Sequence, residues 1–186
     1  MALLARISAY ASHDDPRAAA GNVVSLVVAS NQPFYPLYLY FAVGPVIWPS
    51  FLTFLSTPFF LAVPAVARRW PAFGRALLPL TGIANTAIAV KAFGAASAVE
   101  LFLLPCLALG ALLFRPGERV WTWLVAVSAA AVYFALPGWS GPPLHDYSAG
   151  EYASFARLNA MSVATLTLFV GLLFSAIETG PRESAR

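Results

Sequence analysis

Few side chains in this sequence could do chemistry. Lys91 and Glu100 flank one short turn between two apolar stretches. Charges near the hydrophobic edge of a helix bundle pair with each other, face a cavity, or divide into a snorkelling ammonium and a solvated carboxylate. A second group, His145, Asp146, Glu151 and Arg157, lies on or next to the end of a Gly- and Pro-rich loop. Imidazole beside carboxylate binds metals or titrates near pH 6.5. One histidine with scattered carboxylates supplies no defined metal site, so loop solvation is the competing reading. Asn159 and Asn85 sit inside apolar runs. Each amide needs an internal partner there: either another helix or a ligand. The candidate ligand-binding set is therefore Lys91, Glu100, His145, Asp146, Arg157 and Asn159, with no metal ligands and no cofactor.

Several functions are disfavoured. Cys106, the sole cysteine, allows no internal disulfide and reads as a buried, inert thiol. The two histidines, His13 and His145, are expected on opposite sides of a membrane, so they cannot serve one b-type haem. No nucleophile–base–orienter set and no phosphate-binding glycine loop can be assembled. Catalysis is not expected. The run Phe34-Tyr35-Pro36-Leu37-Tyr38-Leu39-Tyr40-Phe41 reads as an interfacial aromatic belt or as the wall of an aromatic pocket.

The elements that must hold these residues follow from composition. Of 186 residues, 60% are hydrophobic and 10% charged. A soluble domain carries about 25% charged residues, so a water-facing surface cannot be built from so few. The formal charge of +3 comes from arginines scattered between apolar blocks, a pattern of membrane topology rather than nucleic-acid binding. The expected fold is an all-α, polytopic transmembrane helix bundle of about six spans with both termini cytoplasmic. Asp15-Pro16 is an N-cap followed by proline at the first helical position. The apolar stretch from there to about Gly44 should kink or break at Asn31–Pro36. Further spans are expected over about Pro49–Ala67, Arg75–Phe93, Ser97–Phe114 and Val120–Leu136. Ser56 and Thr57 are candidates to satisfy carbonyls freed by the prolines of the second span. Residues 137–147 read as a non-helical loop. Ser148 and Glu151 match a capping box that opens a sixth helix ending near Ile177.

Arg6 and Arg17, then Arg68, Arg69 and Arg75, then Arg115 and Arg119, then Arg182 and Arg186 fall on alternate connections, as six spans with both ends inside require. The expected organisation is a cytoplasmic tail over 1–14, the bundle over 15–178, and a tail over 179–186, in a bacterial inner membrane. The N-terminal decapeptide lacks the long apolar region and cleavage site of a secretory signal.

The stretch Gly94-Ala95-Ala96-Ser97-Ala98-Val99-Glu100-Leu101-Phe102-Leu103-Leu104-Pro105, the turn Arg115-Pro116-Gly117-Glu118-Arg119, a Pro-rich loop and then Glu151 to Arg157-Leu158-Asn159 resemble a known type of region. Over residues 75–177 the chain is similar to the six-helix membrane sensor region that precedes the catalytic domain of many bacterial nucleotide cyclases, diguanylate cyclases and sensor kinases. Many such regions carry a histidine near the position of Glu100. The output domain is not found after the sixth helix. The resemblance implies sensing of a ligand or of the membrane state; in a sensory module the signal is expected to pass through the sixth helix, which ends at Glu178-Thr179-Gly180.

The expected function is a non-catalytic sensory or scaffold module. A small solute transporter or channel, or a structural subunit of a membrane complex, is the alternative. Expected partners are the lipid bilayer, a membrane or cytoplasmic signalling partner, and a second copy of the chain, but not nucleic acid. Lys91 and Glu100 lie at similar depth by the helix rise, so an ion pair or a water-bridged contact across their turn is expected. Glu100→Gln should then destabilise more than Glu151→Gln.

Overall fold

The structure is a computed structural model and describes residues 2–179. Among these residues all regular structure is helical. Helix α1 spans Ala2–Ala11 and α2 spans Pro16–Asn31. The Asp15 side chain accepts from the Arg17 N–H at 3.0 Å, and Pro16 opens the helix as expected. At Asn31–Pro36 the helix tightens instead of breaking. A 3-10 turn, Gln32–Phe34, leads directly into α3, Tyr35–Ala42. The junction residues Asn31, Gln32, Phe34 and Tyr35 all keep right-handed helical dihedrals.

The next segment departs from the expected regular span. Trp48–Ser56 is a nine-residue 3-10 helix, followed by α4, Thr57–Arg69. Its cause is written in a three-residue repeat. Ser50, Thr53 and Ser56 each donate a hydroxyl hydrogen bond to the carbonyl three residues back. That matches the 3-10 period, which stacks side chains at i and i+3 on one face. The Ser56 hydroxyl therefore serves Thr53, and Thr57 bonds Gln32. Neither is given to carbonyls freed by proline.

Helix α5, Pro71–Phe93, is the central element. Of its apolar window 56% is buried, against 17% for each of the two long helices that close the chain. Gly74 lets α5 approach α4: a Cβ there would lie 2.6 Å from the Ala67 Cβ. Gly94, at φ 81, ends α5. The segment read as a fourth span is again interrupted. It consists of the 3-10 turns Ala95–Ser97 and Val99–Phe102 and then α6, Leu103–Leu112. A turn at Pro116–Glu118 leads into α7, Arg119–Trp139. Pro137 and Gly138 thus belong to the last turn of α7, not to the loop the sequence suggests. A proline there forfeits one backbone bond, and Ser140 N–H to the Leu136 carbonyl closes the helix beyond it. The Ser148–Glu151 capping box forms, and α8 runs over Ala149–Thr179.

Four helical stretches are long and apolar enough to cross a membrane: Trp48–Arg69, Pro71–Phe93, Pro116–Leu136 and Ala149–Ile177. The other two expected spans are the interrupted Pro16–Ala42 run and the shorter Val99–Leu112. The outer faces carry large apolar side chains, including Phe41 at 79%, Phe134 at 79% and Val120 at 72% exposure. So much exposed apolar surface suits lipid, not water. The interior holds two clusters. One is built on Val24, Val63, Leu78, Leu113, Val125 and Val170. The other is built on Leu39, Val90, Phe93, Val99, Tyr147 and Phe155.

The arginine-bearing ends gather at one end of the bundle. Arg75, 3% exposed, pairs with Glu118 and lies 3.6 Å from Asp15, which also meets Arg115 at 3.3 Å. Arg17 donates to the carbonyls of Leu112 and Phe114, and Arg75 to that of Leu113. Arg68 does the same for Ala9 and Tyr10 at the end of α1. Guanidinium groups there satisfy terminal carbonyls and oppose the negative end of the helix dipole. Ala2–Ala11 thus form a helix docked on α4, with the Tyr10 hydroxyl on the Leu61 carbonyl. Residues 180–186, with Arg182 and Arg186, lie outside the described residues.

Candidate functional site

The broken helices face inward around a polar knot. Gln32, 8% exposed, donates its amide to the Thr53 carbonyl at 3.1 Å and to the Ser56 hydroxyl at 2.6 Å. Its carbonyl accepts from Thr57 at 2.6 Å. The Asn85 carbonyl oxygen lies 3.0 Å from the same Ser56 hydroxyl and shares the one proton that Ser56 gives to Thr53. Four elements are joined: the turn after α2, the 3-10 helix, α4 and α5. Buried amides and hydroxyls tied this way fix one arrangement, because each unpartnered member would be costly. Among the described residues the Asn85 amide nitrogen has no protein partner.

Asn85 borders a cavity of about 760 Å³ between α2, α3, α5, α6 and α8. Leu78, Cys106, Leu109, Leu166 and Phe169 contribute apolar wall. Asn85, Thr86, Tyr35 and Ser162 contribute polar groups, and none of the described lining residues carries a charge. Val27, Phe34 and Tyr38 on one side and Met161 on the other form an exposed rim. The volume lies within the roughly 300–1,000 Å³ of small-molecule sites.

Both ends beyond the cavity are packed. The arginine cluster fills one. At the other, Phe155 meets Phe93 and Tyr147 with ring centroids 5.1 and 4.9 Å apart, and the Tyr147 hydroxyl donates to the Val46 carbonyl at 3.0 Å. Burial pushes the Tyr147 phenol up to about 12, and Tyr152 and the Glu151 charge add to the effect. It stays a donor at any physiological pH.

The structure does not assemble the six sequence candidates into one site. Lys91 and Glu100 form no ion pair. Lys91 donates to the Pro142 carbonyl at 2.8 Å. Glu100 sits in the 3-10 turn after Ala98, whose left-handed φ of 56 redirects the chain, and one carboxyl oxygen is buried without a partner. His145 packs edge-on against Tyr147, with ring centroids 4.6 Å apart. Asp146 and Arg157 are exposed. Among the described residues no group of three His, Cys, Asp or Glu side chains could hold a metal. Asn159 is fully buried and bridges helices: it donates to the Ser97 carbonyl at 2.8 Å and accepts from Tyr35 at 3.2 Å. Tyr35 lines the cavity, so Asn159 sits directly behind its wall.

The sequence reading missed Gln32, Thr53 and the cavity itself. A usable signal was present in Ser50, Thr53 and Ser56, whose spacing of three marks a polar face on a 3-10 helix. Phe34, Tyr35 and Tyr38 turn out to serve the pocket wall, while Tyr40 and Phe41 are exposed beyond it.

Compared with protein-family models, with curated proteins and with solved structures, the chain gives no match.

Proposed function

We propose that this chain is a non-catalytic sensory module of a bacterial inner membrane, with six membrane segments and both termini cytoplasmic. The cavity carries this reading. It is roomy and largely apolar, and its polar groups are held by a pre-formed network, with the arginine cluster beyond one end and the Phe155 and Tyr147 rings beyond the other. Such a site retains a ligand and reports its presence. Helix α8 is the natural output element, because Met161, Thr165 and Phe169 line the cavity and the helix continues toward the C-terminus. The resemblance over residues 75–177 supports the same reading. The orientation follows from the arginine-rich end facing the cytoplasm.

A second reading, a small solute transporter, is favoured by one observation. The cavity lies against interrupted helices, Pro16–Ala42 and Trp48–Ser56, and substrate sites of transporters are often built on broken helices. Flux in proteoliposomes separates the two. The sensory reading expects the purified protein to give no more leakage of a mixed set of radiolabelled amino acids, sugars and cations than empty liposomes. Saturable flux of any one of them contradicts it.

A further inference from the structure

We propose that the cavity binds an uncharged, single-chain lipophile that carries one hydrogen-bond-accepting oxygen, taken from the hydrocarbon layer and anchored on Asn85. The proposal rests on the sensory reading above and names the ligand class of the same site.

Depth gives the source. Val27 lies eleven residues beyond Pro16 in α2, about 16 Å by the helix rise, and Met161 lies twelve beyond Ala149 in α8, about 18 Å. A hydrocarbon core is about 30 Å thick. The rim formed by Val27, Phe34, Tyr38 and Met161, between 40% and 69% exposed, therefore starts near mid-depth at Val27 and rises toward the far interface at Phe34 and Tyr38, so it opens toward acyl chains.

Charge gives the head group. The described residues lining the cavity are all uncharged. An ionised head group would be left without a counter-charge at a depth where isolated charge is costly. A pure hydrocarbon would fit the apolar wall but leave the Asn85 amide unsatisfied. The other half of that amide, its oxygen, lies 3.0 Å from the Ser56 hydroxyl, which leaves the nitrogen as the half without a protein partner. Asn85 is a donor waiting for an oxygen: a hydroxyl, a ketone or an ester carbonyl.

Tritiated oleyl alcohol is the probe, with 1-octadecene and the permanently charged oleyl sulfate as comparators of equal chain length. Binding is measured on the full chain in nanodiscs. Oleyl alcohol is expected to bind saturably, near one per chain, and both comparators at least fivefold more weakly. Asn85→Leu should weaken oleyl alcohol about fivefold, the scale of one hydrogen bond, and leave octadecene unchanged. Because Asn85→Leu also removes the Ser56 contact, Thr165→Trp serves as a second variant. Thr165 lines the cavity from an exposed position on α8, so a bulky ring there should block access and abolish binding in a folded protein. Equal binding of all three probes, with no effect of Asn85→Leu, overturns the head-group assignment while the sensory reading stands. Tight binding of oleyl sulfate, or undiminished binding by Thr165→Trp, overturns the site. Saturable binding of none of the three overturns both this proposal and the sensory reading.

Discussion

Glu100 and Glu151 exchange the roles that the sequence suggests for them. One Glu100 carboxyl oxygen is buried without a partner, and an uncharged amide is cheaper to hold in such a place than a carboxylate. Glu151 accepts from the Ser148 amide and hydroxyl at 2.8 and 2.7 Å at the start of α8, where a negative charge is favoured by the helix dipole. Glu100→Gln should therefore leave the midpoint of thermal unfolding in detergent unchanged or raised, while Glu151→Gln lowers it. The opposite ranking would restore Glu100 as half of a structural ion pair. Some residue-scale features were legible. Asn85 and Asn159 stand out in the sequence as amides in need of partners, because an amide in an apolar run has few ways to be satisfied. The Lys91–Glu100 pairing was not legible. It assumed regular helices on both sides of Gly94, and the left-handed Ala98 followed by a 3-10 turn places Glu100 elsewhere. The carbonyl that Lys91 takes comes from Pro142, fifty-one positions away.

The long helices were readable from their apolar length, and their caps from local residues, since Asp15-Pro16 and Ser148–Glu151 act over three or four positions. The interruptions were harder. Pro33 and Pro36 signal a break, yet neighbouring backbone dihedrals stay helical and the chain only tightens. The 3-10 helix over Trp48–Ser56 depends on hydroxyls paired with carbonyls of their own segment, which hydropathy does not register. Packing between elements left even less trace. Gly74 is one glycine among twelve, but it is where α4 and α5 meet backbone to backbone. Gly74→Ala should destabilise the protein by about 1–3 kcal/mol through overpacking. Gly171→Ala, with nothing within 4 Å of the added Cβ, should be neutral or slightly stabilising. Thermal unfolding of the two variants side by side tests this, and equal shifts would mean that α4 and α5 pack less closely at Gly74.

At the scale of the whole molecule, one set of arginines does two jobs. Arg17, Arg68 and Arg75 close the carbonyl ends of α1 and α6, and with Arg115 they gather at one end of the bundle around Asp15 and Glu118. The same residues carry the charge asymmetry that orients a membrane protein. The account thus requires that this end face the cytoplasm and that the loop around His145 and Asp146 face the opposite side. Single cysteines at Asp14, Gly117 and Asp146, all exposed, can be placed in a Cys106→Ala background and probed in intact cells with a membrane-impermeant maleimide. The account predicts labelling of the Asp146→Cys protein from outside, and labelling of the Asp14→Cys and Gly117→Cys proteins only after the membrane is opened. External labelling at Gly117, or the same access at positions 14 and 146, would contradict it.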